Sequence, residues 1–232
     1  MGNKSIAIIT ARGGSKRIPR KNIKEFCGKP IIQYSIEAAL ASNMFDEVMV
    51  STDDQEIRDI ALKCGASVPF MRSEAKSNDM AMTFEVLLEV LEEYKKIGQE
   101  FEYMCCIYPT APFITEKKLK DSMHKLIQTN ADTVIPIVPF SFPPQRGFII
   151  ENDSVNFKWP ENSLVRSQDL EKMYHDCGQF YCINVKKFLK DKNIIMDKTV
   201  PIIMSELEVQ DIDNFDDWKI AEVKYKLMTK QG

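Results

Sequence analysis

The apolar run Ile6-Ala7-Ile8-Ile9 passes almost directly into residues 11–22, ARGGSKRIPRKN, and this junction constrains the chain more than any other stretch. A compact apolar run ahead of a glycine pair predicts a buried strand opening into a loop. In open α/β sheets, ligands bind in the crevice beyond the carboxyl ends of the strands. Gly13 and Gly14 place no Cβ in the way of a close approach. Arg12, Lys16, Arg17, Arg20, Lys21 and Lys24 follow with no carboxylate among them, in a chain whose formal net charge is -3. A polyanion suits such a loop, and the competing reading is a solvated basic face. Neither the P-loop pattern GxxxxGK[ST] nor the dinucleotide pattern GxGxxG is present, so side chains must carry the binding. Arginine does so as a fork of donors, lysine as a point charge.

The remaining pattern alternates strands and helices. Pro30 precedes an apolar stripe over residues 31–41, residues 47–51 (EVMVS) read as a strand, and Asp53-Asp54-Gln55-Glu56 is a capping-box pattern for a helix that Gly65 stops. Asp53 has two readings, helix cap or nucleotide contact from the strand end. A short strand over residues 67–70, a helix over 83–96, a strand over 104–107 and a turn from Tyr108 to Pro112 come next. Thr115 caps a further helix, and residues 133–138 form another strand. This succession predicts a three-layer αβα fold around a mostly parallel sheet, within one domain over residues 1–232. At Pro139 the pattern breaks. Residues 139–165 carry PFSFPPQRG and two short apolar runs about a polar turn, which predicts a hairpin insertion. Strands over residues 178–185 and 200–204 and an amphipathic helix over 215–227 close the chain.

Composition excludes several classes. The slight negative charge argues against a nucleic-acid binder, and the absence of an uncharged run of about 20 apolar residues argues against a membrane span. Six cysteines without a CxxC pair, and only two histidines, give no zinc spacing; free thiols in a reducing cytoplasm are expected. The opening MGNKSIAIIT lacks the apolar core of a secretory signal.

Near the end stands Asp211-Ile212-Asp213. In an extended segment, residues two apart face the same way, so Ile212 turns inward while both carboxylates point out together. Like charges that close need a cation beside them, and a hard divalent ion with oxygen ligands meets that need. The plainer alternative is that Asp213 or Asn214 caps the last helix while Asp216 and Asp217 complement its dipole.

ARGGSKRIPRKN, RSQDL at residues 166–170 and QDIDNFDDW at residues 210–218 together resemble the cytidylyltransferases that activate nonulosonic, sialic-type sugars as CMP derivatives. The resemblance spans nearly the whole chain and implies a nucleotide-diphospho-sugar transferase-like fold. Arg17 stands where the sialic acid enzymes usually have glycine, and Tyr108 where they place glutamine. With SFPPQRGF at residues 141–148 and YHDCGQFY at residues 174–181, the chain looks closest to the pseudaminic acid branch.

The resemblance implies CTP and a nonulosonic acid as substrates, Mg²⁺ or Mn²⁺ as cofactor, and a homodimer to which residues 139–165 contribute. It places Arg12 and Lys16 on the β and γ phosphates, Lys21 on the α-phosphate, and Asn22 with the Ala11 backbone on the nucleoside. Ser15, Arg72, Asp79 and Thr83 complete the nucleotide set, and Asp211 with Asp213 holds the metal. Arg166 is the candidate for steadying charge in the transition state, though an arginine near a Gln-Asp pair is ordinarily a surface ion pair. Gln145, Arg146, His175 and Asp176 fall to the sugar end; His175 has an alternative as a structurally satisfied histidine. CMP-N-acetylneuraminate or CMP-legionaminate synthesis is the nearest alternative. More distant ones are a glycosyltransferase that uses no CTP and a nucleotide-sensing module that releases no pyrophosphate.

Overall fold

The structure is a computed structural model and describes residues 4–78 and 81–230. β1 (Ser5–Thr10) is followed by the basic loop, the two-residue strands β2 (Glu25–Phe26) and β3 (Lys29–Pro30), α1 (Ile31–Ser42), β4 (Glu47–Ser51) and α2 (Gln55–Lys63). Then come α3 (Thr83–Lys96), β5 (Tyr103–Ile107), α4 (Glu116–Thr129) and β6 (Thr133–Pro139). The hairpin β7 (Phe148–Glu151) and β8 (Ser154–Phe157) precedes β9 (Tyr174–Asp176), β10 (Phe180–Asn184), α5 (Val185–Asp191), β11 (Thr199–Ile203) and α6 (Phe215–Lys230).

Among the described residues, seven strands build the main sheet in the order β11-β6-β10-β5-β1-β4, with β9 paired to β6. β1 runs parallel to β4 and β5, and β11 parallel to β6, whereas β10 lies antiparallel between β5 and β6. Five strands therefore share one direction. β1 can be apolar without a break from Ile6 to Ile9 because both faces of the sheet are covered. Ala7 and Ile9 pack with Ile36 of α1, Ile57 of α2 and Leu119 of α4 on one face. Ile6 and Ile8 pack with Leu87 of α3 and Phe188 of α5 on the other. That alternation is the expected three-layer αβα arrangement.

Local signals set the helix ends. Asp54, not Asp53, caps α2 by accepting from the Ile57 amide at 3.0 Å. The Thr115 hydroxyl accepts from the Lys118 amide at 3.3 Å, while α1 and α4 stop at Asn43 and Asn130 in the left-handed region. The hairpin turn uses Asn152 and Asp153, both at positive φ, as a tight two-residue loop requires.

The expected strand over residues 67–70 is absent. Ser67 makes one bridge to Met49, and Pro69, lacking an N–H, cannot extend the ladder. Four elements had no distinct sequence signal: the two-residue strands β2 and β3, the three-residue β9, and α5, which begins at Val185, the last residue of the expected strand.

Candidate active site

The loop after β1 is held at both ends. The Ala11 amide donates to the Ser51 carbonyl at 3.0 Å, carrying the sheet register one residue past β1, and the Asn22 side chain donates to the Arg12 carbonyl at 2.8 Å. Beside the loop, beyond the ends of β1 and β5, lies a cavity of about 540 Å³. Arg12, Ser15, Lys16, Lys21, Asn22, Arg72 and Thr83 all line it, joined by Thr10, Tyr108 and Thr110 from the strand ends. Ala11 is fully buried behind this wall, and Asp79 lies outside the described residues.

The six loop cations have different employments. Arg12, Lys16, Arg17 and Lys21 reach the cavity. Arg20 turns away to Asp54 and Glu56, and Lys24 lies over Phe215 and Trp218 at 5.7 Å from each ring centroid. The glycine pair divides too. A Cβ at Gly13 would stand 2.7 Å from Asp54 Oδ2, so its bareness serves a carboxylate of the same chain, whereas Gly14 faces open space. Arg72 is buried against Ser51, donating to its hydroxyl at 3.0 Å and its carbonyl at 2.6 Å, and burial lowers its pKa to about 10.

The acidic couple sits directly behind the loop. Ile212 is 2% exposed and shares a small core with Ile18 of the loop, Phe26, and Trp218 of α6. This packing turns Ile212 inward, as the alternation requires. Lys21 Nζ donates to the Ile212 carbonyl at 2.7 Å, and Arg17 pairs with Asp213 at 2.7 Å. Burial lowers the Lys21 pKa, against the pull of Asp213 and Asp211. Asn214 caps α6 by accepting from the Asp216 and Asp217 amides, and Asp217 answers by accepting from those of Asp213 and Asn214. The capping work is therefore done without the carboxylates of Asp211 or Asp213.

These two aspartates fit a divalent ion in one specific sense. No cluster of three or more His, Cys, Asp or Glu suited to a metal forms among the described residues. Mg²⁺ characteristically takes one or two carboxylates and completes its shell with phosphate oxygens and water. A guanidinium already beside Asp213 marks the place as one that attracts a cation.

The other candidates lie apart from this wall. Arg166 makes a two-pronged ion pair with Asp169, at 2.7 and 3.1 Å, on an exposed turn. Gln145 donates to the Glu171 carbonyl and Arg146 to the Ser167 hydroxyl, beside a smaller cavity of about 350 Å³ that includes Phe140, Pro144 and Leu170. His175 packs at a tilt of 53° against Phe140, with ring centroids 4.8 Å apart. Asp176 accepts from the Tyr181 hydroxyl at 2.6 Å and the Gly178 amide at 2.8 Å. Tyr181 in turn packs edge-on against Tyr108, whose hydroxyl lies 3.3 Å from Thr83 Oγ1, so a polar and aromatic chain runs from Asp176 to the main cavity. Burial raises the pKa of both tyrosines, which keeps the hydroxyls protonated at neutral pH.

Gln179 escaped the sequence reading. Its carbonyl accepts from the Tyr108 amide at 2.8 Å and its side chain donates to the Glu208 carbonyl at 2.6 Å, tying the cavity wall to the turn before Asp211. A glutamine inside the apolar strand pattern GQFYCINV was its only signal.

Cations gathered at the carboxyl ends of parallel strands, with a carboxylate couple packed behind them, define an α/β enzyme that handles a nucleotide phosphate chain. A family model described as cytidylyltransferase matches residues 6–225, and the chain belongs to that family. It is 41% identical over 225 residues, 97% of each chain, to a pseudaminic acid cytidylyltransferase of Campylobacter jejuni. It is 31% identical to a CMP-N,N'-diacetyllegionaminic acid synthase of Legionella pneumophila, over 94% of each. Among solved structures, CMP:2-keto-3-deoxy-manno-octonic acid synthetase complexed with CTP superposes with a TM-score of 0.70 at 16% identity, over 99% of this chain and all of that one. That likeness is one of fold. The chain is thus a nucleotidyltransferase.

Proposed function

We propose that this single domain joins CTP to a nonulosonic acid of the pseudaminic type, giving the CMP-sugar and pyrophosphate. The observation that carries the reading is the meeting of the basic loop and the acidic segment, through Lys21 on the Ile212 carbonyl and Ile18 against Ile212. The 41% identity to the Campylobacter enzyme supports the sugar class.

In this reading the anomeric hydroxyl of the sugar acid attacks the α-phosphorus in line. The bond from that phosphorus to the bridging oxygen breaks, pyrophosphate carries the electrons away, and the hydroxyl proton is released to solvent. Such transfer asks the protein mainly for placement and charge neutralisation. Arg12, Ser15 and Lys16 bind the outer phosphates. Lys21, fixed by its backbone acceptor, faces the α-phosphate, while Asn22, Arg72, Asp79 and Thr83 orient the nucleoside with the Ala11 backbone. Asp211 and Asp213 would hold Mg²⁺, which when bound stabilises the leaving phosphate oxygens. Gln145, Arg146, His175 and Asp176 recognise the sugar acid, and Arg166 meets charge that develops at the reacting centre once the Asp169 pair opens.

The insertion is covered by a second copy of this chain in the same reading. Phe148, Ile150 and Val155 stay largely exposed on the hairpin, although Phe148 packs on Phe157 with ring centroids 4.6 Å apart. Among the described residues no helix is long and apolar enough to cross a membrane, and a cytoplasmic place suits a user of CTP.

Pyrophosphate release tests the proposal, with CTP offered against pseudaminic, legionaminic and N-acetylneuraminic acids. Turnover highest with pseudaminic acid is expected. Preference for N-acetylneuraminic acid overturns the branch, and CTP binding without pyrophosphate overturns catalysis.

A further inference from the structure

Asp53 and Asp54, at the start of α2, grip the basic loop at two points. The Gly13 amide donates to Asp53 Oδ1 at 2.9 Å. Seven residues later, the Arg20 guanidinium forks onto Asp54, at 2.5 Å to Oδ2 and 2.9 Å to Oδ1, and also reaches Glu56. Gly13 has to be glycine for the first contact to form, because a Cβ there would lie 3.0 Å from the Asp54 Cβ as well as 2.7 Å from its oxygen. Arg20 sits at φ 55° and ψ 30°, a left-handed conformation that side chains other than Asn and Gly adopt at a cost. Its carbonyl then accepts from the Ile23 and Lys24 amides, which forms the turn that carries Lys21 and Asn22.

We propose that Arg20, Asp54 and Glu56 form a latch that pre-shapes the phosphate loop, so that Lys21 and Asn22 stand in place before the nucleotide arrives. These are positioning residues. None of the three lines the cavity, and the inference rests on reading that cavity as the CTP site. The physical need comes from the loop's composition. Cations crowded on one short segment repel each other, and ordering the segment on binding costs entropy that weakens affinity. The latch turns one cation outward onto two carboxylates and meets the ordering cost in the free protein. Asp54 suits the task because it also caps α2, which anchors the latch to the fold rather than to another loop. The Arg20 hydrogen bonds hold its carboxyl down at about 2, so the latch stays charged throughout the range in which the enzyme could work.

The test uses two substitutions that spare the backbone. Arg20→Asn removes the fork and suits the left-handed conformation. Asp54→Asn removes the charge and keeps an oxygen for the Ile57 amide. CTP affinity is measured by titration calorimetry with Mg²⁺, and kcat and KM by pyrophosphate release. Each single variant is expected to weaken CTP binding and raise its KM about tenfold, with kcat changed less than about threefold. The double variant is expected to bind no worse than the weaker single, because both remove one interaction. Glu56→Gln, at the exposed end of the latch, is expected to cost about twofold.

Wild-type affinity in Arg20→Asn overturns the latch. So does multiplication of the two effects in the double variant, and so does a fall in kcat at constant KM, which would put Arg20 at the reacting centre. A wild-type chain that takes up no CTP overturns the cavity reading itself, and the latch with it.

Discussion

Behind the cavity, Ile18, Phe26 and Ile212 turn inward and are at most 2% exposed, while in the insertion Phe142, Ile150 and Leu164 turn outward at 86, 77 and 96%. Both regions are loops hung from the same sheet. The first is completed by its own chain: α6 folds back over it, and Phe26 meets Tyr34, Trp218 and Tyr225 edge-on at 5.5 to 5.7 Å. The second pairs β7 only with β8, and a lone two-stranded hairpin is marginal in water. The contrast separates a loop whose apolar side chains are buried by its own chain from an insertion whose apolar side chains are left exposed; in the proposed function these are the phosphate end and the sugar end. Exposed apolar side chains, where they gather into a contiguous patch, mark interaction surfaces.

The comparison breaks most sharply at the acidic couple. Asp211→Asn is expected to lower Mg²⁺-dependent product formation about a thousandfold with the fold intact, since capping of α6 belongs to Asn214 and Asp217. Full activity in that variant would return the segment to a purely structural role. Lys21→Ala comes next, with turnover expected to fall at least about tenfold and an unchanged circular dichroism spectrum. Its lowered pKa gives this a sign. A lysine is charged below its pKa, so as pH rises the wild-type rate should begin to fall before an ordinary lysine would titrate. Lys21→Arg should carry that limb upward; an unmoved limb would assign it to another group.

At the insertion, Ile150→Asp is expected to halve the particle mass in sedimentation and reduce sugar turnover, while CTP affinity stays within about twofold. A wild-type chain that already sediments as a monomer would remove the partner from the account. The smallest effect belongs to Lys24→Ala. Its ammonium lies over Phe215 and Trp218 rather than toward the cavity, so thermal unfolding should register a loss of about 0.5 to 1 kcal/mol and KM for CTP none. A raised KM would extend the phosphate site beyond the cavity wall.

Much of this was legible before the fold was known, because the signals were local. Apolar runs gave the strands, Thr115 gave the start of α4, and the alternation about Ile212 gave the inward turn of that side chain. What escaped was set by distant partners. Nothing in ARGGSKRIPRKN distinguishes Arg20, which leaves for Asp54, from Lys21, which stays, because their fates depend on a helix start more than 30 residues away. Asp53 and Asp54 were legible as a pair, yet which one capped the helix depended on where the strand before them ended. The direction of β10 was equally hidden, since FYCIN reads as the same buried strand in either sense.

That reversed strand has a consequence for how the protein comes to exist. β10 is the spacer between β5 and β6, so the ribosome delivers two sheet members before the one that must stand between them. Until residues 180–184 emerge, the early half offers a bare edge at β5 and the later strand β6 has nowhere to dock. Assembly of the two halves is therefore a late event of large sequence separation, expected to be slow. A chain interrupted at Gly178 carries the residues of its basic loop but lacks both the strand that closes the sheet and the Ile212 and Trp218 side chains that pack behind the loop.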